Sequence, residues 1–379
     1  MSDIASVTVT PLRLPLRIPY IWSRGVEDAF SVNLIRITAA DGTTGYGETP
    51  AVPDADAQAL VLRKIGARLI GTSVFDIASG LADAYKGVFL AFGGNMPRYF
   101  AQLAHGIEMA AIDLQGKLLE RPAWDLLGGA VRDDVGYFYF LQGETPEAIA
   151  ADAADAVQQG HPILYLKVGV GDARDLDSVR AIRAVAPDVR LRLDANEAWD
   201  QAKALRMITA LAPYNIEYLE QPTPSGSQAA LAHLTRKSPI SIGADQSVFT
   251  LGEVHNAVST HRADMVAIGP REIGGMRAMI KAAAVCEAAG VPVCIHSSMT
   301  TGLTTCAEHH IARAIPNLDD GNQIMWQLMK DDIVASPNLQ PDKGRMAMPA
   351  APGLGCKLDF DAIDRAAQMH IAFVNGTPA

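Results

Sequence analysis

Leu191-Arg192-Leu193-Asp194, Glu217-Tyr218-Leu219-Glu220 and Ile242-Gly243-Ala244-Asp245 are short, mostly apolar stretches, each closed by an acid. The closing acids stand 26 and 25 residues apart, the length of one strand, one helix and two loops. Successive parallel strands with this spacing deliver Asp194, Glu220 and Asp245 to the same end of a sheet. Two carboxylates about 4 Å apart repel by roughly 4 kcal/mol at an effective dielectric near 20. Three together therefore call for a cation, and an all-oxygen, thiolate-free set suits a hard ion, Mg2+ before Zn2+. A single acid at a strand end is more often the cap of the following helix; three in register argue the other way.

Outward from this stretch the same alternation continues. Apolar runs at 135–141, 163–167, 189–194, 216–220, 240–244, 264–268 and 291–296 read as strands, with an eighth near 316–325. Amphipathic segments such as Pro146–Gln159, Ala173–Val185 and Gly275–Ala289 read as the intervening helices. Seven or eight such repeats predict a (β/α) barrel over 131–345, with a doubly wound open sheet as the alternative. Upstream, Ser6 to Glu48 alternates in the manner of a small antiparallel sheet and 55–125 turns helical, which makes 1–130 an α+β unit. The segment 346–379, with Pro352-Gly353-Leu354-Gly355, is expected to pack back on that first unit.

Composition removes several function classes. A formal charge of −10 and no basic stripe argue against nucleic acid as a partner. No run approaches the 18 or so apolar residues of a membrane helix, and Met1-Ser2-Asp3-Ile4 opens no signal-peptide pattern, so a cytoplasmic protein without a membrane partner is expected. Cys286, Cys294, Cys306 and Cys356 form no CxxC pair and are expected to be reduced thiols. No phosphate-binding glycine motif and no Gly-x-Ser-x-Gly elbow is present.

In a barrel, side chains at the carboxyl ends of strands face the catalytic mouth. Those ends carry Tyr165-Leu166-Lys167, Asp194-Ala195-Asn196, Glu220-Gln221-Pro222, Asp245-Gln246 and Cys294-Ile295-His296. A metal among the three acids would be flanked by Lys167 and His296. The layout suits removal of a proton next to a carboxylate, in which a divalent ion holds the resulting dianion and an amine or imidazole takes the proton. Taken alone, Lys167 would snorkel and Tyr165 would pack with its hydroxyl at the rim; their company at one site favours function. His105, His309 and His310 fall within helices and are expected to pack.

With these residues in place, the chain resembles the enolase superfamily, in its mandelate racemase and muconate lactonizing enzyme branch. The resemblance runs nearly the whole length, through Gly45-Tyr46-Gly47-Glu48, Ala111-Ile112-Asp113-Leu114-Gln115-Gly116-Lys117, Trp124-Asp125-Leu126-Leu127-Gly128-Gly129, Lys167-Val168-Gly169, Glu220-Gln221-Pro222, Ile273-Gly274-Gly275 and Pro352-Gly353-Leu354-Gly355. It implies a modified (β/α)7β TIM-like barrel carrying Mg2+, an N-terminal α+β capping domain completed by the C-terminal tail, and a small carboxylate substrate. Asp194, Glu220 and Asp245 match the family's metal ligands, Lys167 the second lysine of its Lys-x-Lys pair, and His296 its strand-7 histidine. The resemblance also makes Tyr20-Ile21-Trp22-Ser23-Arg24-Gly25, which by composition reads as a flexible loop, the cap loop over the substrate, with Trp22 and Arg24 as candidate contacts. Asn196 is a candidate for orienting the metal shell or the substrate. A homo-oligomer is implied by resemblance and general frequency.

Three positions depart from the family pattern. Tyr165 replaces the first lysine, Gly269 stands where strand 6 carries a lysine or the aspartate behind the histidine, and Gln246 replaces a common glutamate. A phenol assists a neighbouring lysine base less than an ammonium does, and each pKa unit of the required shift represents about 1.4 kcal/mol. An alternative base is Tyr165 itself, as phenolate. The leading expectation is a hydroxy-acid dehydratase, with Lys167 as base and His296 protonating the departing hydroxyl. A racemase, epimerase or muconate-type cycloisomerase is the alternative, and a non-catalytic metal-binding barrel is the alternative from another class.

Overall fold

The computed structural model describes residues 2–90 and 96–376. The N-terminal sheet is antiparallel in the order β1 (Ile4–Trp22), β2 (Gly25–Ala39), β3 (Thr44–Pro50). Helices α1 (Ala55–Leu69), α2 (Ile77–Val88) and α3 (Pro97–Leu118) follow, and Ile35, Ile37, Leu62, Ile65, Leu69, Ile107 and Leu114 form a core between sheet and helices. The glycines of Gly45-Tyr46-Gly47-Glu48 are explained by contact. A Cβ at Gly45 would stand 2.1 Å from the Ala110 carbonyl oxygen, and one at Gly47 2.2 Å from that of Gly106, so β3 lies on α3 only without those side chains.

The barrel begins after residue 130. The expected first strand divides in two: β4 (Val135–Gly136) pairs outside the ring, and β5 (Tyr139–Phe140) starts it. Beyond β5 come α4 (Pro146–Gln158), β6 (Ile163–Lys167), α5 (Asp172–Val185), β7 (Arg190–Asp194), α6 (Gln201–Leu211), β8 (Tyr218–Glu220), α7 (Gln228–Lys237), β9 (Ser241–Ala244), α8 (Leu251–Ser259) and β10 (Met265–Ile268). The extra four-residue helix α9 (Pro270–Ile273) precedes α10 (Met276–Ala288), β11 (Val293–Ile295) and α11 (Gly302–Ala314). Strands β5 to β11 are hydrogen-bonded in sequence order, all parallel. Leu164, Leu166, Leu191, Leu193, Leu219 and Ile242 belong to the large core that includes the helices, while the alternate residues face into the ring.

The eighth strand expected near 316–325 is reduced to single bridges. Leu318 bridges Val293 of β11, and Asn322 bridges Tyr137 ahead of β5. The Asn322 side chain accepts from Ile295 N at 2.7 Å and donates to Gly136 O at 2.9 Å, which joins the two sides of the ring. The tail continues through β12 (Val334–Ser336), β13 (Arg345–Met346) and β14 (Lys357–Leu358) to α12 (Phe360–Val374). There the Arg13 guanidinium lies 4.0 Å from the Phe373 ring centre and His370 Nε2 is 3.2 Å from Asp56 Oδ2, so α12 packs on the N-terminal unit. Among the described residues, no helix is long and apolar enough to cross a membrane, and the four cysteines are free.

Candidate active site

Strand register places the site. Lys167 pairs with Asp194 and Asp194 with Glu220, one row behind the inward-facing series Tyr165, Arg192, Tyr218. The capping role falls to other residues: Asp200 accepts from Lys203 N to start α6, and Thr250 from Glu253 N to start α8. Asp194 and Asp245 are thereby left to the mouth. Asn196, Glu197 and Gln221, just past β7 and β8, all have positive φ (42°, 64° and 31°), a strained conformation that gathers at functional sites. Gln221 is fully buried and organises the next strand end, its Oε1 accepting from Asp245 N at 3.1 Å and Ser247 Oγ at 2.9 Å.

The three acids are buried and differently engaged. Asp194 Oδ2 accepts from Lys167 Nζ at 2.5 Å and Tyr165 OH at 2.6 Å, and its Oδ1 from Asn196 N at 2.7 Å. Glu220 and Asp245 instead converge on His296, whose Nδ1 lies 3.6 Å from Glu220 Oε1 and 3.6 Å from Asp245 Oδ2. Potential ligand atoms of Glu220, Asp245 and His296 all lie within 4.8 Å of one another. Glu220 Oε1 and both Asp245 carboxylate oxygens are buried with no hydrogen-bond partner. Such atoms cost several kcal/mol when left as bare charges, and their oxygen chemistry fits a hard divalent cation.

Electrostatics agrees with that deficit. Burial, then the neighbouring acids, raises Glu220 and Asp245 above the usual carboxylate range, with His296 opposing. Burial pulls the His296 imidazole down, but Asp245, Glu220 and Glu272 outweigh it and push it up to about 9. Lys167 follows the same pattern: burial opposes its charge, and Asp194, Tyr20 and Glu220 more than restore it. A cation on the carboxylates withdraws this support, which is the direction a lysine base requires. Tyr165 is buried, stacked on Phe138 with ring centres 4.2 Å apart, and raised by burial and then by Asp194. That direction is opposite to what a phenolate needs.

A cavity of about 850 Å3 opens over this row, between the β1–β2 hairpin and the barrel mouth, lined by Tyr20, Trp22, Arg24, Lys167, Asn196 and His296 among others. The segment read as a flexible loop is the end of that hairpin: Tyr20, Ile21 and Trp22 pair with Glu27, Val26 and Gly25 around a turn at Ser23-Arg24. Composition signalled a loop through serine, arginine and glycine, but only Ser23 and Arg24 fill the turn and Gly25 already pairs in β2. Arg24 forms an ion pair with Glu197, and Ser23 Oγ donates to Asn196 O at 3.3 Å, so the tip is tied to the loop after β7. Trp22 Nε1 and Asn196 Oδ1 are buried without partners in the cavity wall.

Several contributors were missed in the sequence. Tyr20 is buried against Lys167, three residues before the turn. Glu272 explains Gly269: a Cβ at Gly269 would stand 2.6 Å from Glu272 Oε2 and 2.3 Å from the His296 carbonyl oxygen, so the side-chain space there is filled from α9. Glu272 is buried, and although burial raises its carboxyl, Arg271 and His296 hold it below the usual range. Gln246 lines the cavity with its Oε1 buried and unpartnered. Burial keeps His105, His309 and His310 neutral, lowered to about 4, 3 and 4, and each packs within a helix as expected.

Comparison with known proteins agrees with this architecture. Residues 4–128 match the mandelate racemase / muconate lactonizing enzyme N-terminal domain, and 148–362 the enolase C-terminal domain-like family. The chain is 30% identical to muconate cycloisomerase 1 of Rhodococcus opacus, over 96% of this chain and 98% of that one. It is 30% identical to a probable glucarate dehydratase of Streptomyces coelicolor, over 95% and 90%. Muconate lactonizing enzyme from Pseudomonas fluorescens, solved with muconolactone, superimposes with a TM-score of 0.89 at 29% identity, over 96% of this chain and 99% of that one. A dipeptide epimerase from Enterococcus faecalis, solved with Mg and the dipeptide L-Leu-L-Tyr, gives 0.86 at 26% identity, over 94% and 99%. The chain is an enzyme of the enolase superfamily and belongs to its mandelate racemase and muconate lactonizing enzyme branch.

Proposed function

We propose that this enzyme abstracts the α-proton of a small hydroxy-carboxylate and then eliminates water, as a Mg2+-dependent hydroxy-acid dehydratase. The observation that carries the reading is that Lys167, at the end of β6, and His296, just after β11, face one cavity from either side of the Asp194, Glu220 and Asp245 row. Asp194, Glu220 and Asp245 would hold the ion, which supplies charge neutralisation of the substrate carboxylate and of the ene-diolate formed on proton loss.

Lys167, as the neutral amine, takes the α-proton, and the C–H electron pair becomes part of the enol. On a substrate with hydroxyls at both the α- and β-carbons, His296, as imidazolium, gives its proton to the β-hydroxyl as the C–O bond breaks, so that water leaves and the α-hydroxyl of the resulting enol tautomerises to the keto acid. Asp194 and Tyr20 position the lysine. Tyr165 holds Asp194 from behind, and the hairpin tip with Trp22 and Arg24 covers the cavity.

A second reading has support from the relatives, which include a cycloisomerase and an epimerase. The same lysine and histidine acting on one carbon would make a racemase or epimerase, and one base alone would serve a cycloisomerase. Reaction in D2O with Mg2+ across a panel of hydroxy acids separates these. The dehydratase produces keto acid, and it loses both product and exchange on Lys167→Met. Recovered substrate that is inverted and labelled at Cα, with no keto acid, sinks the elimination.

A further inference from the structure

Arg271 lies in the wall of the same cavity as His296, at the start of α9 and one strand further round the ring than Asp245. Its Nε donates to Glu272 Oε1 at 2.5 Å, and its Nη2 pairs with the same oxygen. Glu272 is 1% exposed, whereas the Arg271 side chain is 18% exposed. The guanidinium is therefore fixed from behind by a buried carboxylate. Among the described residues Nη1 has no protein acceptor.

The other cavity arginines are differently committed. Arg98 spends Nε and Nη2 on Glu253 and Nη1 on Gln246 O. Arg24 is tied to Glu197 at the hairpin tip, with its side chain 57% exposed. Arg13 lies over the Phe373 ring at the tail. Arg271 alone among them combines rigid anchoring with an unused donor edge in the cavity wall that also carries His296. A planar guanidinium of this kind recognises a carboxylate through its free N–H edge, and because Glu272 already balances its charge the contact is a directed hydrogen bond to a single carboxylate.

We propose that Arg271, held by Glu272, is the subsite for a second carboxylate, so that the substrate is a hydroxy-diacid. This rests on the reading above, in which the first carboxylate sits at the Glu220 and Asp245 end. Arg271 acts in binding, and Glu272 is a positioning residue for it.

The test compares aldaric acids of four to six carbons with the aldonic acids of the same length, which differ only in a terminal carboxylate against a hydroxymethyl group. Binding is measured by calorimetry with Mg2+, and α-proton exchange in D2O gives kcat and KM separately. The wild type is expected to prefer the diacid about 10- to 100-fold, carried in Kd and KM, the size of one lost charge-assisted contact. Arg271→Met erases the preference. Because that change leaves Glu272 buried and unpaired, Arg271→Met/Glu272→Gln is measured beside it and erases the preference equally; Arg271→Lys restores part of it. Diacid preference without exchange of either class removes the catalytic reading and keeps the subsite. Equal affinity for the two classes, no affinity for any of them, or a preference that survives the double variant overturns the proposal.

Discussion

Tyr165 and Lys167 share one oxygen: the phenol at 2.6 Å and the ammonium at 2.5 Å both donate to Asp194 Oδ2. The position that carries the first lysine in the family pattern thus holds here a neutral donor beneath the proposed base. Tyr165→Phe keeps the stack on Phe138 and removes only that donor. It is expected to lower stability by about 1.5–3 kcal/mol, the worth of a hydrogen bond to a charged group, and to leave α-proton exchange within about tenfold of wild type. Urea denaturation and deuterium exchange read the two effects; exchange as low as in Lys167→Met would make the phenol the base.

Lys167→Met is expected to reduce exchange by about 10²–10⁴-fold, the usual contribution of a positioned base. In metal-free protein it also leaves Asp194 and Glu220 without their buried cation, and breaking such a pair costs about 3–5 kcal/mol. Denaturation with and without Mg2+ checks this, since the ion should recover part of the loss. A variant as stable as wild type in chelator contradicts the electrostatic account.

Metal addition itself has an expected size. The orphaned oxygens of Glu220 and Asp245 gain a partner only in the folded state, so Mg2+ at about 100 times its Kd should stabilise by about 2.7 kcal/mol. The thermal midpoint should rise with Mg2+ and fall on chelation. Glu220→Gln/Asp245→Asn should be more stable than wild type in chelator and insensitive to the ion.

Glu48 ties the N-terminal sheet to the barrel: its Oε1 accepts from Thr301 N, Thr301 Oγ1 and Thr304 N at 3.0, 2.8 and 2.9 Å, at the start of α11. Burial pushes its carboxyl up to about 7, against the hydrogen bonds from Thr304 and Thr301. The folded state therefore holds a proton that the unfolded chain has already released. The stabilisation is full below the unfolded value near 4.5 and is lost as pH rises through 7, a swing of roughly 3 kcal/mol. Stability of wild type relative to Glu48→Gln should fall across pH 5 to 7, and a flat difference would contradict the shift.

Gly269→Asp restores the acid expected behind the histidine, yet it should destabilise. Its Cβ would meet Glu272 and the His296 carbonyl, and overpacking of this kind costs about 1–3 kcal/mol. Combining it with Glu272→Gly should recover part of that cost, because the two side chains compete for one space. Additive losses in thermal unfolding would refute the competition.

The acids were legible because strand and helix lengths fix both their spacing and their end of the ring, and strand alternation puts Lys167, Asp194 and Glu220 on its inner face. Other features depend on contacts between distant segments. Tyr20 meets Lys167 across 147 positions of chain, and no local pattern reports it. The Arg271–Glu272 pair lies in a four-residue helix too short for an amphipathic signal. The hairpin tip was obscured by turn-forming residues, although Tyr20-Ile21-Trp22 has ordinary strand composition. The eighth strand faded because 317–323 bonds to β11 and to 136–138 irregularly, with the Asn322 side chain bridging both.

That asparagine gives the ring a seam. Seven strands pair in register along their backbones, while the last gap is closed by the Asn322 side chain and by irregular backbone bonds from 317–323 to Val293, Ile295, Gly136 and Phe138. Gly136 and Asn322 are 186 residues apart, so the closure joins distant segments of the chain without the regular ladder that binds the other strands. The ring accordingly has a built-in parting line. Amide protons along β11 at Val293 and Ile295 would be the first of the barrel strands to trade with solvent as the cylinder opens into a sheet.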